Sequence, residues 1–153
     1  MHVLELKIPP VAIGLVTMAL MWLASWLVPA LAVPFPGHQV MAGCMAAAGA
    51  VISGFGVALF RLARTTVNPM KPESSSSLVQ SGIYRLTRNP MYLGFFLVLA
   101  GWALYLANVL AFLLLPFFIA YMNRFQIGPE ERALKNLFGQ EFATYASRVR
   151  RWI

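Results

Sequence analysis

The chain contains few charged residues and few side chains that bind metals or form disulfides. Only 11% of its 153 residues are Asp, Glu, Lys or Arg, whereas 59% are hydrophobic. A soluble domain carries about 25% charged residues, so this chain has too few to cover a surface that faces water. Its one cysteine, Cys44, excludes an intrachain disulfide, and its two histidines, His2 and His38, lack the spacing of metal ligands. The composition therefore predicts a membrane protein without a protein-bound metal.

The basic residues are confined to three segments of the chain. The formal net charge is +7, but these cations flank long apolar runs, so we do not expect nucleic acid as a partner. They precede the first run, lie between the second and third runs, or follow the last: Lys7; Arg61, Arg64, Lys71, Arg85 and Arg88; Arg124, Arg132, Lys135, Arg148, Arg150 and Arg151. By the positive-inside rule, both termini and the central loop lie in the cytoplasm. We expect a location in a bacterial-type inner membrane.

The apolar runs predict about four transmembrane helices. A single helix over the last run, 91–123, would extend about 50 Å, against a hydrocarbon core of about 30 Å. A helical hairpin that turns near Asn108 fits this length better. The predicted spans cover 11–28, 40–62, 91–107 and 109–123. For the first span a signal peptide is the alternative, because Ala30-Leu31-Ala32 resembles a cleavage site.

The connection between the second and third spans, residues 63–90, is polar and basic. Pro69, Pro72 and the serine run 74–77 argue against regular structure where this loop begins. A flexible linker is the simplest interpretation, although loops of this length in compact proteins are often functional.

The tail, residues 128–153, combines helix signals with positive charge. Pro129 suits the first helical position, Glu130 and Glu131 suit the first turn, and Gly139 suits a helix stop. We expect this tail to lie on the inner membrane surface. The predicted fold class is all-α: a polytopic integral membrane protein with about four transmembrane helices, a cytoplasmic loop and a C-terminal amphipathic helical tail.

Polar residues concentrate on both sides of the predicted hairpin. Before it stands Ser-Gly-Ile-Tyr-Arg-Leu-Thr-Arg-Asn-Pro-Met-Tyr-Leu-Gly (81–94), and after it Arg-Phe-Gln-Ile-Gly-Pro-Glu-Glu (124–131), then Leu-Phe-Gly-Gln-Glu-Phe (137–142) and Tyr145. A folded hairpin brings these segments together at one membrane face.

Motifs for phosphate-binding loops and dinucleotide sites are absent from the sequence. No acidic residue lies within a predicted span, whereas a proton-coupled transporter usually needs one there.

This series resembles the isoprenylcysteine carboxyl methyltransferase family and the related membrane phospholipid methyltransferases. Their pattern is Gly-x-Tyr, Arg-His-Pro-x-Tyr, a helical hairpin, a Glu pair and a Phe-Gly-x-x-Tyr/Phe-x-x-Tyr ending. The resemblance covers roughly residues 68–152 and keeps their order. It implies a methyltransferase core at 68–153, preceded by two transmembrane helices at 1–67 within one structural unit.

The resemblance also implies a cofactor, S-adenosylmethionine, in a cytoplasmic pocket, and a lipophilic acceptor that enters from the bilayer. The implied cofactor-binding residues are Ser76, Ser77, Leu78, Val79, Tyr84, Asn89, Pro90, Met91, Tyr92 and Glu130. Each of them also has a simpler structural explanation. Asn89 and Pro90, for example, suit the N-cap and first position of a helix.

Two positions depart from the family pattern. Asn89 replaces a histidine, and an amide cannot titrate near neutral pH. Gln126 replaces an arginine that faces the substrate in the prenylcysteine enzymes, so Gln126 and nearby Arg124 are the candidates for orienting the substrate. No catalytic residue or general base is assigned. A phospholipid N-methyltransferase is the alternative enzyme, and a small four-helix transporter or structural membrane subunit is the alternative of another class.

Overall fold

The computed structural model describes residues 5–66 and 68–153, and within these ranges the chain forms helices and no strands. The helices are α1 (Pro10–Leu27), α2 (His38–Leu62), α3 (Pro90–Leu106), α4 (Val109–Tyr121) and α5 (Gly128–Arg148). A π-helical segment, Met122–Ile127, joins α4 to α5 without a break. Within the described ranges three continuous helices are long and apolar enough to cross a membrane: α1, α2 and the continuous helix Val109–Arg148 that α4, the π-helical segment and α5 form together. α3 is a shorter apolar helix. The predicted polytopic all-α fold and the helical hairpin are confirmed.

The hairpin turn is built around Asn108, as its position suggested. Ala107 adopts the left-handed conformation (φ 46°) and ends α3. The Asn108 side-chain oxygen then accepts a hydrogen bond from the Leu110 amide (2.9 Å), which caps α4. The same side chain donates to the Val28 carbonyl (3.0 Å). Asn108 therefore also fastens the turn to the end of α1.

α2 packs against α3 through small residues. A Cβ on Gly49 would lie 2.5 Å from the Gly94 carbonyl oxygen, and a Cβ on Gly94 would overlap the Ser53 hydroxyl. That hydroxyl donates to the Met91 carbonyl (3.0 Å). Apolar burial gives helices little reason to associate in lipid, so such close backbone contact supplies the attraction. The contact also holds the first turn of α3 beside the middle of α2.

We expect Gly94→Ala to destabilise the protein and Gly43→Ala to leave its stability nearly unchanged. The new methyl group at Gly94 would force α2 and α3 apart, and overpacking of this kind costs about 1–3 kcal/mol. A Cβ on Gly43 would meet nothing within 4 Å, and Ala is the better helix former by up to about 1 kcal/mol. Thermal unfolding of both variants in the same detergent measures the difference. Equal losses of stability would contradict this assignment of the contact.

The tail returns over the beginning of α3 because α5 is broken at Gly139. This glycine has φ 51° and ψ −119°, outside the helical range, and a side chain there would be strained. After the break, the Tyr145 hydroxyl donates to the Tyr84 carbonyl (2.8 Å), and the Arg88 amide donates to the Arg150 carbonyl (2.9 Å). The predicted helix stop at Gly139 is confirmed.

Candidate functional site

The hairpin brings Tyr92 and Glu130 together at its open end. Tyr92 lies in the first turn of α3 and Glu130 in the first turn of α5. The Tyr92 hydroxyl donates to Oε1 of Glu130 (2.5 Å), and Nε2 of Gln126 donates to the same oxygen (3.2 Å). Gln126 lies one helical turn before Glu130, in the π-helical segment. π-helical segments inside longer helices are frequently found at functional sites.

A small cavity lies against this pair. Its volume is about 90 Å³, below the roughly 300–1,000 Å³ typical of small-molecule sites, so it encloses only part of a ligand of ordinary size. The residues around it come from the end of α2, the loop, the start of α3 and α5. They are Phe60, Thr66, Asn68, Pro69, Pro72, Ser75, Tyr84, Arg88, Asn89, Met91, Tyr92, Glu130 and Leu134.

The Tyr84 hydroxyl has no hydrogen-bond partner among the described residues, although it is buried. Only 3% of Tyr84 is exposed, and the residue lines the cavity. Buried polar groups are nearly always paired, because an unpaired one loses its bonds to water without replacement. Tyr84 is therefore suited to bond a ligand in the cavity. The ring of Phe60 lies 5.3 Å from its ring and forms part of the same wall.

Burial dominates the electrostatics of the site. It raises the pKa of Glu130 to about 7, although hydrogen bonds from Tyr92 and Gln126 act in the opposite direction. Burial likewise raises the pKa of the Tyr84 phenol, so this group stays neutral and can donate a hydrogen bond. Glu130 can consequently gain or lose a proton near neutral pH.

A second carboxylate, Glu131, joins the tail to the beginning of α3. Its two oxygens accept from Nη2 of Arg88 (2.6 Å) and from Nη2 of Arg151 (2.6 Å). Nη1 of Arg88 also donates to the carbonyls of Ala146 (2.7 Å) and Val149 (3.0 Å). Arg88 and Glu131 thus bind specific partners within the fold. A cation that only anchors the protein at the membrane, or an acid that only complements a helix dipole, would not require such partners.

Asn89 occupies the expected N-cap position of α3, directly before Pro90, but its side chain binds the tail. Its side chain accepts no hydrogen bond from the helix. Instead, Nδ2 donates to the Arg151 carbonyl (3.0 Å), and the Thr87 hydroxyl donates to the same carbonyl (3.1 Å). The carbonyl lies within reach because the tail folds back, a contact between residues about sixty positions apart. Local spacing could not indicate it.

The structure brings only some of the residues named from the sequence into the cavity. Five of them line it: Tyr84, Asn89, Met91, Tyr92 and Glu130. Pro90 is buried against α2, where a Cβ on Gly56 would lie 3.3 Å from its Cγ.

The serine run lies mostly outside this cavity. Ser76, Ser77, Leu78 and Val79 do not line it, whereas Ser75 does. The hydroxyls of Ser76 and Ser77 donate to the carbonyls of Arg64 (3.2 Å) and Ala63 (3.4 Å). These bonds fasten the loop to the end of α2. Phe60, by contrast, contributes to the cavity from α2, where no motif pointed to it.

The two candidates for orienting the substrate lie in different surroundings. Gln126 is only 1% exposed, and its amide also donates to the Pro69 carbonyl (3.0 Å). Arg124 is exposed and lines a neighbouring groove of about 1,230 Å³. The groove lies between the N-terminal segment, the loop and α5. Its residues are Glu5, Leu6, Lys7, Met70, Glu73, Arg124, Pro129, Arg132, Ala133, Asn136 and Leu137.

Three relatives illustrate how the chain compares with known proteins. It is 35% identical over 79 residues to the protein-S-isoprenylcysteine O-methyltransferase of Saccharomyces cerevisiae, and the match covers 52% of this chain and 33% of that protein. It is 30% identical over 80 residues to protein-S-isoprenylcysteine O-methyltransferase B of Arabidopsis thaliana, and the match covers 52% of this chain and 41% of that protein. It is 46% identical over 63 residues, 41% of its length, to the whole of an uncharacterized protein of Haemophilus influenzae. No solved structure matches the chain significantly.

A family match covers more of the chain than any of these relatives does. Residues 38–141 match the model of the phospholipid methyltransferase family. This region includes α2, the hairpin and most of α5, and therefore both sides of the cavity described above. It extends beyond the motifs recognised in the sequence, which began near residue 68. The chain belongs to the phospholipid methyltransferase family.

Proposed function

We propose that this membrane methyltransferase takes the methyl group from S-adenosylmethionine and transfers it to a lipophilic acceptor that enters from the bilayer. One observation carries the proposal: Tyr84, whose buried hydroxyl is unpartnered, and Glu130 line one cavity at the open end of the hairpin. When bound, S-adenosylmethionine supplies an activated methyl group on a positively charged sulfonium. The family match favours this enzyme over a four-helix transporter or a structural subunit.

The residues of the cavity suit such a cofactor. A sulfonium cation is attracted by a carboxylate and by aromatic faces, which Glu130, Tyr84 and Tyr92 provide. Arg88 is the cation among the lining residues, and its charge is already paired with Glu131. The proposed contacts are therefore Tyr84, Asn89, Met91, Tyr92 and Glu130 from the motifs, with Phe60 in addition. Because the cavity is small, part of the cofactor would extend beyond it.

The chain itself contributes chiefly position and one titratable group. Holding the reacting atoms about 3 Å apart and excluding water supplies several kcal/mol of the barrier. Tyr92 and Gln126 fix the Glu130 carboxylate in place. A carboxylate or thiolate acceptor needs no base, whereas an amine or hydroxyl acceptor must lose a proton. We assign the acceptance of that proton to Glu130, which fills the role that the sequence left open.

The structure bears on the choice of acceptor through Gln126. Its neutral amide already bonds Glu130 and Pro69, so it offers no charged fork to a carboxylate. A prenylcysteine carboxylate is therefore a less suitable acceptor than a lipid amine or a neutral lipophilic molecule. Phospholipid N-methylation remains the main alternative, and Arg124 is a candidate for orienting an anionic head group from the groove.

We expect methyl-labelled S-adenosylmethionine to label a lipid in membranes that contain the wild-type protein. Mass spectrometry of the labelled lipid would identify the acceptor and the atom that is methylated. Membranes with Glu130→Ala should show little label, whereas Glu141→Gln, a change at an exposed acid of the tail, should label as the wild type does. If the purified protein neither binds the cofactor nor labels any lipid, the proposed function is wrong.

We also propose that both termini and the loop face the cytoplasm of a bacterial-type inner membrane, because every Lys and Arg falls on one side of the predicted spans. Reporter fusions after His38, Ser75 and Asn108 and at the C-terminus test this orientation. Cytoplasmic signals are expected at Ser75 and the C-terminus, and periplasmic signals at the other two positions. A periplasmic signal at Ser75 or at the C-terminus would contradict the proposal.

A further inference from the structure

A short part of the loop, residues 69–73, separates the cavity from the groove. Pro69 and Pro72 line the cavity, whereas Met70 and Glu73 line the groove. α5 divides in the same way: Glu130 and Leu134 face the cavity, and five residues including Ala133 and Asn136 face the groove. The segment therefore lies along α5 as a partition between the two spaces.

The sizes of the two spaces make this partition important. The cavity holds about 90 Å³ and the groove about 1,230 Å³, while a small-molecule site typically holds roughly 300–1,000 Å³. The cavity contains Tyr92 and Glu130 but is too small for a whole ligand. The groove is large enough but lacks this pair. Only the joined spaces would combine sufficient volume with the polar site.

One side chain outside the loop holds the partition in place by a hydrogen bond. Nε2 of Gln126 donates to the Pro69 carbonyl (3.0 Å). The other hydrogen bonds described for residues 69–73 run to their own neighbours Asn68, Ser74 and Ser75. Two prolines stiffen this segment, so we expect it to move as a unit.

Releasing Pro69 costs Gln126 little. The Gln126 amide has two hydrogens but three acceptors nearby: Pro69 at 3.0 Å, Glu130 at 3.2 Å and the Tyr92 hydroxyl at 3.4 Å. When Pro69 leaves, both hydrogens can still bond Glu130 and Tyr92. Pro69 lines the cavity, so once the cavity is joined to the groove, water that enters can bond the freed carbonyl of Pro69. Neither group is then left buried and unpaired.

We propose that residues 69–73 form a gate, that Gln126 is the positioning residue that holds this gate closed, and that its release joins the cavity to the groove. A ligand larger than the cavity then reaches Tyr92 and Glu130 from the groove. The identity of that ligand as cofactor or acceptor rests on the proposed function. The gate itself does not, and it can be tested without any cofactor.

Thiol labelling within the cavity measures the gate directly. In a Cys44→Ser background, Leu134→Cys places a thiol on the cavity wall, and a maleimide dye too large for the closed cavity serves as the probe. We expect Gln126→Leu, which removes the amide but keeps much of its volume, to accelerate labelling roughly two- to tenfold, the effect of one lost hydrogen bond. Gln140→Leu, at an exposed position, is the matched control and should leave the rate unchanged. Equal rates in both variants would overturn the proposal.

A reversible tether tests the gate in the opposite direction. Glu73→Cys and Asn136→Cys place thiols on the two sides of the groove, where a cleavable bis-maleimide can join the gate to α5. The thiol at position 134 is introduced as a photocaged cysteine (Leu134→Cys) and is unmasked after tethering. The tether should slow labelling of this thiol at least tenfold, and cleavage of the tether should restore the rate. Exchange of radiolabelled S-adenosylmethionine should slow in parallel. Labelling that ignores the tether would refute the gate, whereas a wild-type protein that binds no S-adenosylmethionine would refute only the proposed function.

Discussion

Replacement of Glu130 by Ala is expected to weaken S-adenosylmethionine binding and methyl transfer by roughly ten- to a hundredfold, because a hydrogen bond or contact to a charged group contributes about 1.5–3 kcal/mol. The carboxylate faces the cavity and holds Tyr92 through a 2.5 Å hydrogen bond. Calorimetry with the purified protein measures the affinity. Glu141→Gln is the control for loss of a negative charge outside the cavity. Unchanged affinity in Glu130→Ala would mean that the cofactor binds elsewhere.

Glu130 should also make activity depend on pH. Burial raises the pKa of Glu130 to about 7, and only the ionised carboxylate attracts a sulfonium or accepts a proton. We therefore expect methyl transfer to rise as the pH increases from about 6 to about 8. Glu130→Gln carries no ionisable group at this position, so its residual activity should lack this rise. A wild-type profile that is flat over this range would contradict the assignment of Glu130 as proton acceptor.

The same group predicts how stability depends on pH in the protein without ligands. The folded state keeps the Glu130 proton up to a pKa of about 7, whereas the unfolded chain loses it near the ordinary value of 4.5. The raised pKa stabilises the fold fully below pH 4.5, and this contribution is lost as the pH rises from 4.5 to about 7. Its upper limit is about 3 kcal/mol. Comparing the wild type with Glu130→Gln by thermal unfolding isolates the contribution from those of the other acids.

Removal of Glu131 is expected to cause the largest loss of stability, about 3 kcal/mol or more. The side chains of Arg88 and Glu131 are only 13% and 18% exposed, and removing one partner of a largely buried ion pair leaves the other charge unpaired. Glu131→Ala would leave both Arg88 and Arg151 without their carboxylate. Glu131 holds the Arg88 side chain in the position from which it binds the carbonyls of Ala146 and Val149. Loss of Glu131 should therefore weaken these bonds as well and detach the tail from the start of α3.

An exposed ion pair on the same helix supplies the control for that prediction. Arg132 pairs with Glu5 at 2.8 Å; the Glu5 side chain is only 11% exposed, but the Arg132 side chain is 57% exposed, so water screens the pair. Such pairs contribute about 0–1 kcal/mol, so Arg132→Ala should lower the unfolding temperature only slightly. Limited proteolysis within the tail, compared between Glu131→Ala and the wild type, would show whether the substitution frees the tail. Similar small shifts in both variants would show that the contacts of Glu131 are not important for the fold.

The apolar runs were sufficient to predict the helical architecture. Helices in lipid must satisfy their own backbone hydrogen bonds, so length and apolarity mark each span almost directly. The predicted arms at 91–107 and 109–123 differ little from α3 and α4 (Pro90–Leu106 and Val109–Tyr121). The length of the last apolar run placed the turn near Asn108, and a local signal placed the helix break at Gly139. A cap or a left-handed glycine acts on its own neighbours, so such features can be recognised from short stretches of sequence.

The pair Tyr92 and Glu130 could also be anticipated, because each lies near an end of one hairpin and a hairpin brings its two ends together. The sequence motifs named both residues, and their contact follows from the topology. Other features of the site depend on contacts between distant segments. Phe60 reaches the cavity only because small residues let α2 approach α3 closely. Asn89 holds the N-cap position that its place before a proline suggested, but its side chain bonds Arg151 because the tail folds back.

The place of the loop depends most fully on the tertiary structure. Residues with little regular structure have no periodicity that indicates which surface they cover, so the serine run could not be located from its composition. Its hydroxyls bond the end of α2, and the neighbouring residues 69–73 lie along α5. Gln126 stood out in the sequence as a missing arginine, yet its buried amide lies within hydrogen-bond distance of Pro69, Tyr92 and Glu130. Spacing along the chain indicates which side chains can contribute to the site, but only packing among the helices, the loop and the tail determines which partners these side chains bind.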